Sequence, residues 1–125
     1  MRVRVRCTAL LLGTIAACGG VEQAPPERAI PCEVNAVLVH VCQKCHSSPP
    51  ANGVPISLVT YDDTQALYSD RATYHDTPVW KVMRDLVRAG IMPQPPVVLD
   101  AADRATLLDW LDRGAPAATG GVSCP

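Results

Sequence analysis

Apolar positions between residues 33 and 45 recur at helical spacing. Val34, Val37, Leu38, Val41 and Cys45 follow the i, i+3, i+4, i+7 rule and predict a first helix from about Glu33 to Cys45. Val79, Val82, Met83 and Leu86 form a second stripe, which predicts a helix from Pro78 to Ala89. Thr77 reads as its N-cap, Pro78 as its first-turn proline and Gly90 as its stop. A last helix starts after Asp100, with Asp103 at the capping-box position. It carries Leu107, Leu108 and Leu111 on one face and ends at Gly114. Thr60, followed by Asp62 and Asp63, predicts a shorter helix ending near Tyr68. No segment alternates as a strand does, and no internal repeat is present. The expected class is all-α, with three to four helices.

The connecting segments are rich in turn formers. Residues 47–55 are loop by composition, and residues 69–76 form another. Ile91-Met92-Pro93-Gln94-Pro95-Pro96 is extended and stiff, because each proline fixes its own φ.

Composition narrows the picture. A chain of 125 residues allows one domain. It has no Phe, and its aromatic residues are Tyr61, Tyr68, Tyr74, Trp80 and Trp110. So thin a supply of bulky core material calls for a staple or a cofactor. The formal charge of −1 gives no reason to expect a nucleic-acid partner.

The N-terminus reads as a targeting segment. Arg2, Arg4 and Arg6 precede an apolar stretch, Cys7 to Ala17, too short to span a bilayer. Ile15-Ala16-Ala17-Cys18 resembles a bacterial lipobox, which implies a signal peptide over 1–17 and lipid on Cys18. Residues 18–31 then form a lipidated, flexible tether, and 32–125 the folded domain. The expected location is the bacterial cell envelope, periplasmic or outer-membrane-anchored. Removing the three arginines leaves eight Lys and Arg against twelve acids, a charge of −4, which suits a partner with a basic patch.

The chemistry is concentrated in Cys42-Gln43-Lys44-Cys45-His46. C-x-x-C-H is the spacing of a covalent c-type haem site. Two thiols can add to the two vinyl groups of a haem, and the adjacent imidazole can bind the iron. A thiol-redox site of the thioredoxin kind would want a βαβ context. A zinc site would want four ligands, for which Cys32, Cys42, Cys45 and His46 are available. It would leave the Met-Pro loop unexplained.

With this motif on a first helix, a late Met-Pro-x-Pro-Pro run and a capped last helix, residues 32–114 resemble the bacterial class I c-type cytochromes. The resemblance implies several helices around one covalent haem c, with the terminal helices crossing. Cys42 and Cys45 would form the thioethers and His46 the proximal ligand. The sixth ligand would come from Met83, Met92, His40 or His75, and Met92 fits best because prolines hold its loop. Met83 reads as core, His75 as an exposed loop residue, and His40 as surface. Pro50 and Pro55 are the candidates to accept the second ring N–H of His46. Trp110 and Val37 or Leu38 suit the helix crossing. Trp80 and Tyr61 suit either the haem edge or the core.

With Cys7 removed, Cys18 lipidated and Cys42 and Cys45 on haem, Cys32 and Cys124 remain. In an oxidising compartment they are expected to pair, the alternatives being free thiols or an intermolecular bridge. This pair departs from the family's general pattern and suits a subgroup of exported haem lipoproteins. With both axial positions filled, the resemblance implies an electron carrier between periplasmic or membrane-linked redox partners, not an enzyme. The alternative is a haem-based small-ligand sensor or an accessory subunit of a redox enzyme, in which Met92 would leave the iron.

Overall fold

Pro31 opens helix α1, Cys32–His40, in the computed structural model, which describes residues 28–120 and 124. Its buried side chains are Val34, Val37 and Leu38, as the spacing requires. The helix ends five residues earlier than expected. Val41 leaves regular α geometry at φ −114°, ψ −62°, and Cys42–Lys44 wind as a 3-10 turn. Val41 stays buried, so the apolar face continues while the winding tightens. Cys45 follows as the cap of this turn and donates its N–H to the Cys42 carbonyl.

Helix α2, Tyr61–Gln65, starts at Thr60 with a complete capping box to Asp63. It stops at Ala66 and does not reach Tyr68. Leu67–Tyr68 instead forms strand β1, antiparallel to β2, Thr77–Pro78, with Leu67 opposite Pro78 and Tyr68 opposite Thr77. The all-α expectation is corrected here: the molecule is mostly helical, with a small two-stranded sheet. Strands of two residues are too short to alternate visibly. Thr77 is not a cap either. It lies in β2, its hydroxyl donates to the His75 carbonyl at 3.1 Å, and Pro78 takes the N-cap position of α3, Val79–Arg88.

Helix α3 ends in a Schellman cap. Gly90, at φ +68°, donates its N–H to Val87, and Ile91 donates to Leu86 at 2.9 Å. Helix α4, Ala101–Asp112, begins at Asp100, whose Oδ1 accepts the Asp103 N–H at 2.8 Å. It ends in the same motif, with Gly114 donating to Leu111 and Ala115 to Trp110. Arg104 caps α3 from α4 by donating to the Val87 and Arg88 carbonyls, both at 3.1 Å.

Helix α4 packs on both α1 and α3. Trp110, Leu38, Leu107 and Leu111 are fully buried in one cluster where these helices meet. The indole N–H of Trp110 donates to the Pro116 carbonyl at 2.9 Å. Tyr61 belongs to this core, its hydroxyl donating to Ala115 at 3.1 Å. Trp80 packs at the core's edge beneath Lys81 and Arg84. Cys32 and Cys124 form a disulfide, with 5.2 Å between their Cα atoms. Beside it Ala118 donates to the Ala29 carbonyl at 2.9 Å, so the tail is tied to the start of the domain.

No helix among the described residues is long and apolar enough to cross a membrane. The expected signal peptide, Cys18 and most of the tether lie outside the described residues.

Candidate functional site

The 3-10 turn opens onto a cleft of about 790 Å³, its open mouth included. Val41, Cys42, Cys45 and His46 form one part of its wall. Val54, Ile56 and Leu58 come from the following loop, and Val82, Met83, Leu86 and Val87 from α3. Met92, Pro93, Gln94, Val97 and Leu99 come from the segment between α3 and α4, and Leu107 closes the floor. Four of the residues singled out from sequence, Cys42, Cys45, His46 and Met92, therefore share one cavity. His40 and His75 are exposed and do not line it.

The motif is held by its own backbone and by the loop that leaves it. The N–H of His46 donates to the Cys42 carbonyl at 2.9 Å, and that of Cys45 to the same oxygen at 3.2 Å. The chain then loops out and returns. Ala51 donates to the Cys45 carbonyl at 2.8 Å, and Leu58 to the His46 carbonyl at 2.9 Å. Gln43 closes the loop by donating its side-chain amide to the Leu58 carbonyl at 3.0 Å.

His46 is oriented by this returning strand of chain. Its Nδ1 lies 3.0 Å from the Ile56 carbonyl oxygen. A carbonyl only accepts, so Nδ1 carries the proton, and in the neutral ring Nε2 keeps its lone pair. The acceptor is one residue beyond Pro55 and well past Pro50. The expectation of a loop carbonyl is met, but at Ile56, because the returning segment passes the ring only after the turn at Asn52 and Gly53, both at positive φ.

The same segment is pinned on its far side by Asp63. One carboxylate oxygen accepts from Thr60 N–H at 2.8 Å, Val59 N–H at 2.9 Å and the Ser57 hydroxyl at 3.1 Å. Partial burial alone would raise the Asp63 carboxyl. The N–H groups of Thr60 and Val59, then the Ser57 and Thr60 hydroxyls, outweigh it and hold the carboxyl below its ordinary range.

Met92 is placed by the cap of α3. The Leu86 carbonyl accepts the N–H of both Ile91 and Met92, at 2.9 and 3.2 Å. The methionine thus enters the cleft two residues after the positive-φ turn at Gly90. Met83 also lines the cleft. A buried stripe on a helix does not reveal which of its positions face a cavity and which face other side chains, so Met83, a candidate ligand by residue type, read as core from sequence.

Cys42 and Cys45 are not bonded to each other. Burial pushes the Cys42 thiol up to about 11. A thiol-redox centre needs the reverse, a thiol lowered toward neutrality, and no strand precedes Cys42 among the described residues. Cys32 is occupied by Cys124, which removes it from the zinc set. No group of three or more His, Cys, Asp or Glu side chains converges among the described residues.

The lining of the cleft suits a mostly apolar organic group. Its walls are mainly aliphatic, with two thiols, one imidazole, two thioethers and the Gln94 amide as the chemically distinct groups. Every buried side-chain N or O among the described residues has a hydrogen-bond partner. Comparison of the chain with protein-family models, curated proteins and solved structures finds no match.

Proposed function

We propose that this chain is a monohaem c-type cytochrome with a class I fold, exported as a lipoprotein, that carries single electrons between redox partners of the bacterial cell envelope. One observation supports this above the others: Cys42, Cys45, His46 and Met92 line a single apolar cleft, with Nδ1 of His46 held on Ile56.

Each residue then has a task. The thiols of Cys42 and Cys45, which line the same cleft, would anchor haem c by two thioether bonds. His46 would offer Nε2 to the iron, its ring kept in one tautomer by Ile56. Met92 would offer its thioether, held in place by the Leu86 carbonyl and the prolines that follow. The aliphatic walls exclude water, and the segment between α3 and α4 closes one side. The haem, when bound, supplies one-electron exchange at its iron. A soft sulfur ligand together with an apolar setting favours the reduced form and a raised potential.

The test is to produce the chain with cytochrome c maturation and record its pyridine haemochrome. A c-type spectrum with one haem per chain is expected, and no covalent haem would overturn the proposal. The ferrous spectrum is then recorded under carbon monoxide. An electron carrier with both axial positions filled shows no shift, whereas rapid carbon monoxide binding would assign a ligand-sensing role.

A further inference from the structure

Arg104 is the fourth residue of α4, yet its side chain serves the end of α3. Its Nη2 donates to the Val87 and Arg88 carbonyls, both at 3.1 Å. A cation is disfavoured beside a helix N-terminus and favoured at a C-terminus, where the last carbonyls lack partners. The guanidinium therefore gains where it reaches and not where it starts.

Between these two points runs the segment that walls one side of the cleft, residues 89–100, with Met92, Pro93, Gln94, Val97 and Leu99 in the lining. Pro93, Pro95 and Pro96 have no N–H to give. The backbone bond within residues 92–99 is Val97 to Gln94, at 3.1 Å. The segment is thus held mainly at its ends. At the α3 end Gly90 donates to the Val87 carbonyl at 3.2 Å, and Ile91 and Met92 donate to Leu86. Arg104 donates to that same Val87 carbonyl from the α4 end. One side chain so joins both ends of the loop that delivers Met92, without itself lining the cleft.

Resting on the electron-carrier reading, we propose that Arg104 is a positioning residue for Met92. By clasping the neck of residues 89–100 it sets how often the thioether leaves the iron and the cleft admits a small neutral ligand. With carbon monoxide as the probe, the Met92 sulfur–iron bond breaks, an iron–carbon bond forms and no electron is transferred.

The test uses holoprotein carrying Cys18→Ser to keep lipid out. At saturating carbon monoxide the ferrous protein binds the gas at a rate limited by departure of Met92. Arg104→Met keeps most of the apolar stem and removes the donors. It should raise the limiting rate about tenfold, as loss of a charged hydrogen-bond donor predicts. Two controls should stay within about twofold of wild type. Arg113→Met removes the same charge near the other end of α4, where Arg113 pairs with Asp109 at 2.8 Å. Tyr61→Phe removes a buried bond to Ala115 away from the neck and so lowers stability without touching the clasp. A rate in either control equal to that of Arg104→Met would overturn the proposal, because charge or general stability would then account for the effect. An unchanged rate in Arg104→Met would overturn it as well.

A second readout needs no haem. The amide protons of Ile91 and Met92 should exchange about tenfold faster in Arg104→Met, and within about twofold of wild type in Tyr61→Phe. Equal exchange in the two variants would overturn the clasp. A wild-type chain that binds no haem marks failure of the electron-carrier reading, and amide exchange on the chain as isolated then decides the clasp separately.

Discussion

The imidazole of His46 donates Nδ1–H to the Ile56 carbonyl across 3.0 Å, and this bond leaves the lone pair of the neutral ring on Nε2. Ile56 lines the same cleft as His46, so one residue both walls the cavity and sets the ring's tautomer. The Ile56 segment is in turn held by Asp63 through Ser57 and Val59. Asp63, in the cap of α2, is thereby coupled to the orientation of an imidazole 17 residues earlier.

That coupling gives a pH-dependent prediction. The Asp63 carboxyl lies below its ordinary value of 3.8 in the folded chain. Its stabilising effect is therefore fully present above 3.8 and is lost as pH falls through the lower, folded value. Asp63→Asn should lower stability at neutral pH by about 1 kcal/mol, with the difference from wild type closing in acid. Denaturant titrations at several pH values check this. A penalty unchanged in acid would show that the carboxylate's charge is not what acts.

Two thioethers line the cleft, and substitution separates them. Met92→Ala should abolish the methionine–iron charge-transfer band and lower the reduction potential, while Met83→Leu should keep both. Absorption in the near-infrared and spectroelectrochemistry report the two effects. The opposite pattern would make Met83 the ligand.

Gly90 sits at φ +68° with nothing within 4 Å of an added Cβ, so Gly90→Ala introduces no clash and tests backbone conformation alone. The left-handed conformation costs an L-residue about 1–2 kcal/mol. Stability should fall by about that amount. The charge-transfer band should weaken as well, because the turn that delivers Met92 to the Leu86 carbonyl is loosened. A stability loss with an unchanged band would separate the cap from the ligand.

The Cys32–Cys124 bridge closes a loop with a sequence separation of 92. Loop-entropy scaling assigns such a bridge about 4–5 kcal/mol. The double variant Cys32→Ser/Cys124→Ser should lose most of that in equilibrium unfolding. Thiol titration of the denatured, unreduced wild type should find neither cysteine free, and a free thiol at either position would exclude the bridge.

Local chemistry was legible where a few neighbouring residues decide the outcome. Thr60 and Asp100 cap their helices, and Gly90 and Gly114 end theirs, because caps and positive-φ turns are satisfied within five or six residues. The apolar stripes located most of the core for the same reason. The end of α1 was not legible. Periodicity ran through Val41 to Cys45, and the same apolar face is compatible with an α-helix or with a tighter turn. The β1–β2 pair escaped because it depends on Ala66 and Val79 meeting across a loop, where Val79 donates to the Ala66 carbonyl at 2.9 Å.

By itself, the sequence determined the reactive groups and the helix boundaries set by Thr60, Asp100, Gly90 and Gly114. Only the tertiary structure decided that Cys42, Cys45, His46 and Met92 line one cavity, that Met83 joins them, and that Ile56 instead of a proline accepts from His46. Spacing along a chain fixes neighbours within a turn or two. Which distant segments share a cavity depends on how α1, α3 and α4 pack around Trp110, and that follows from the fit of side chains whose partners lie far apart in sequence.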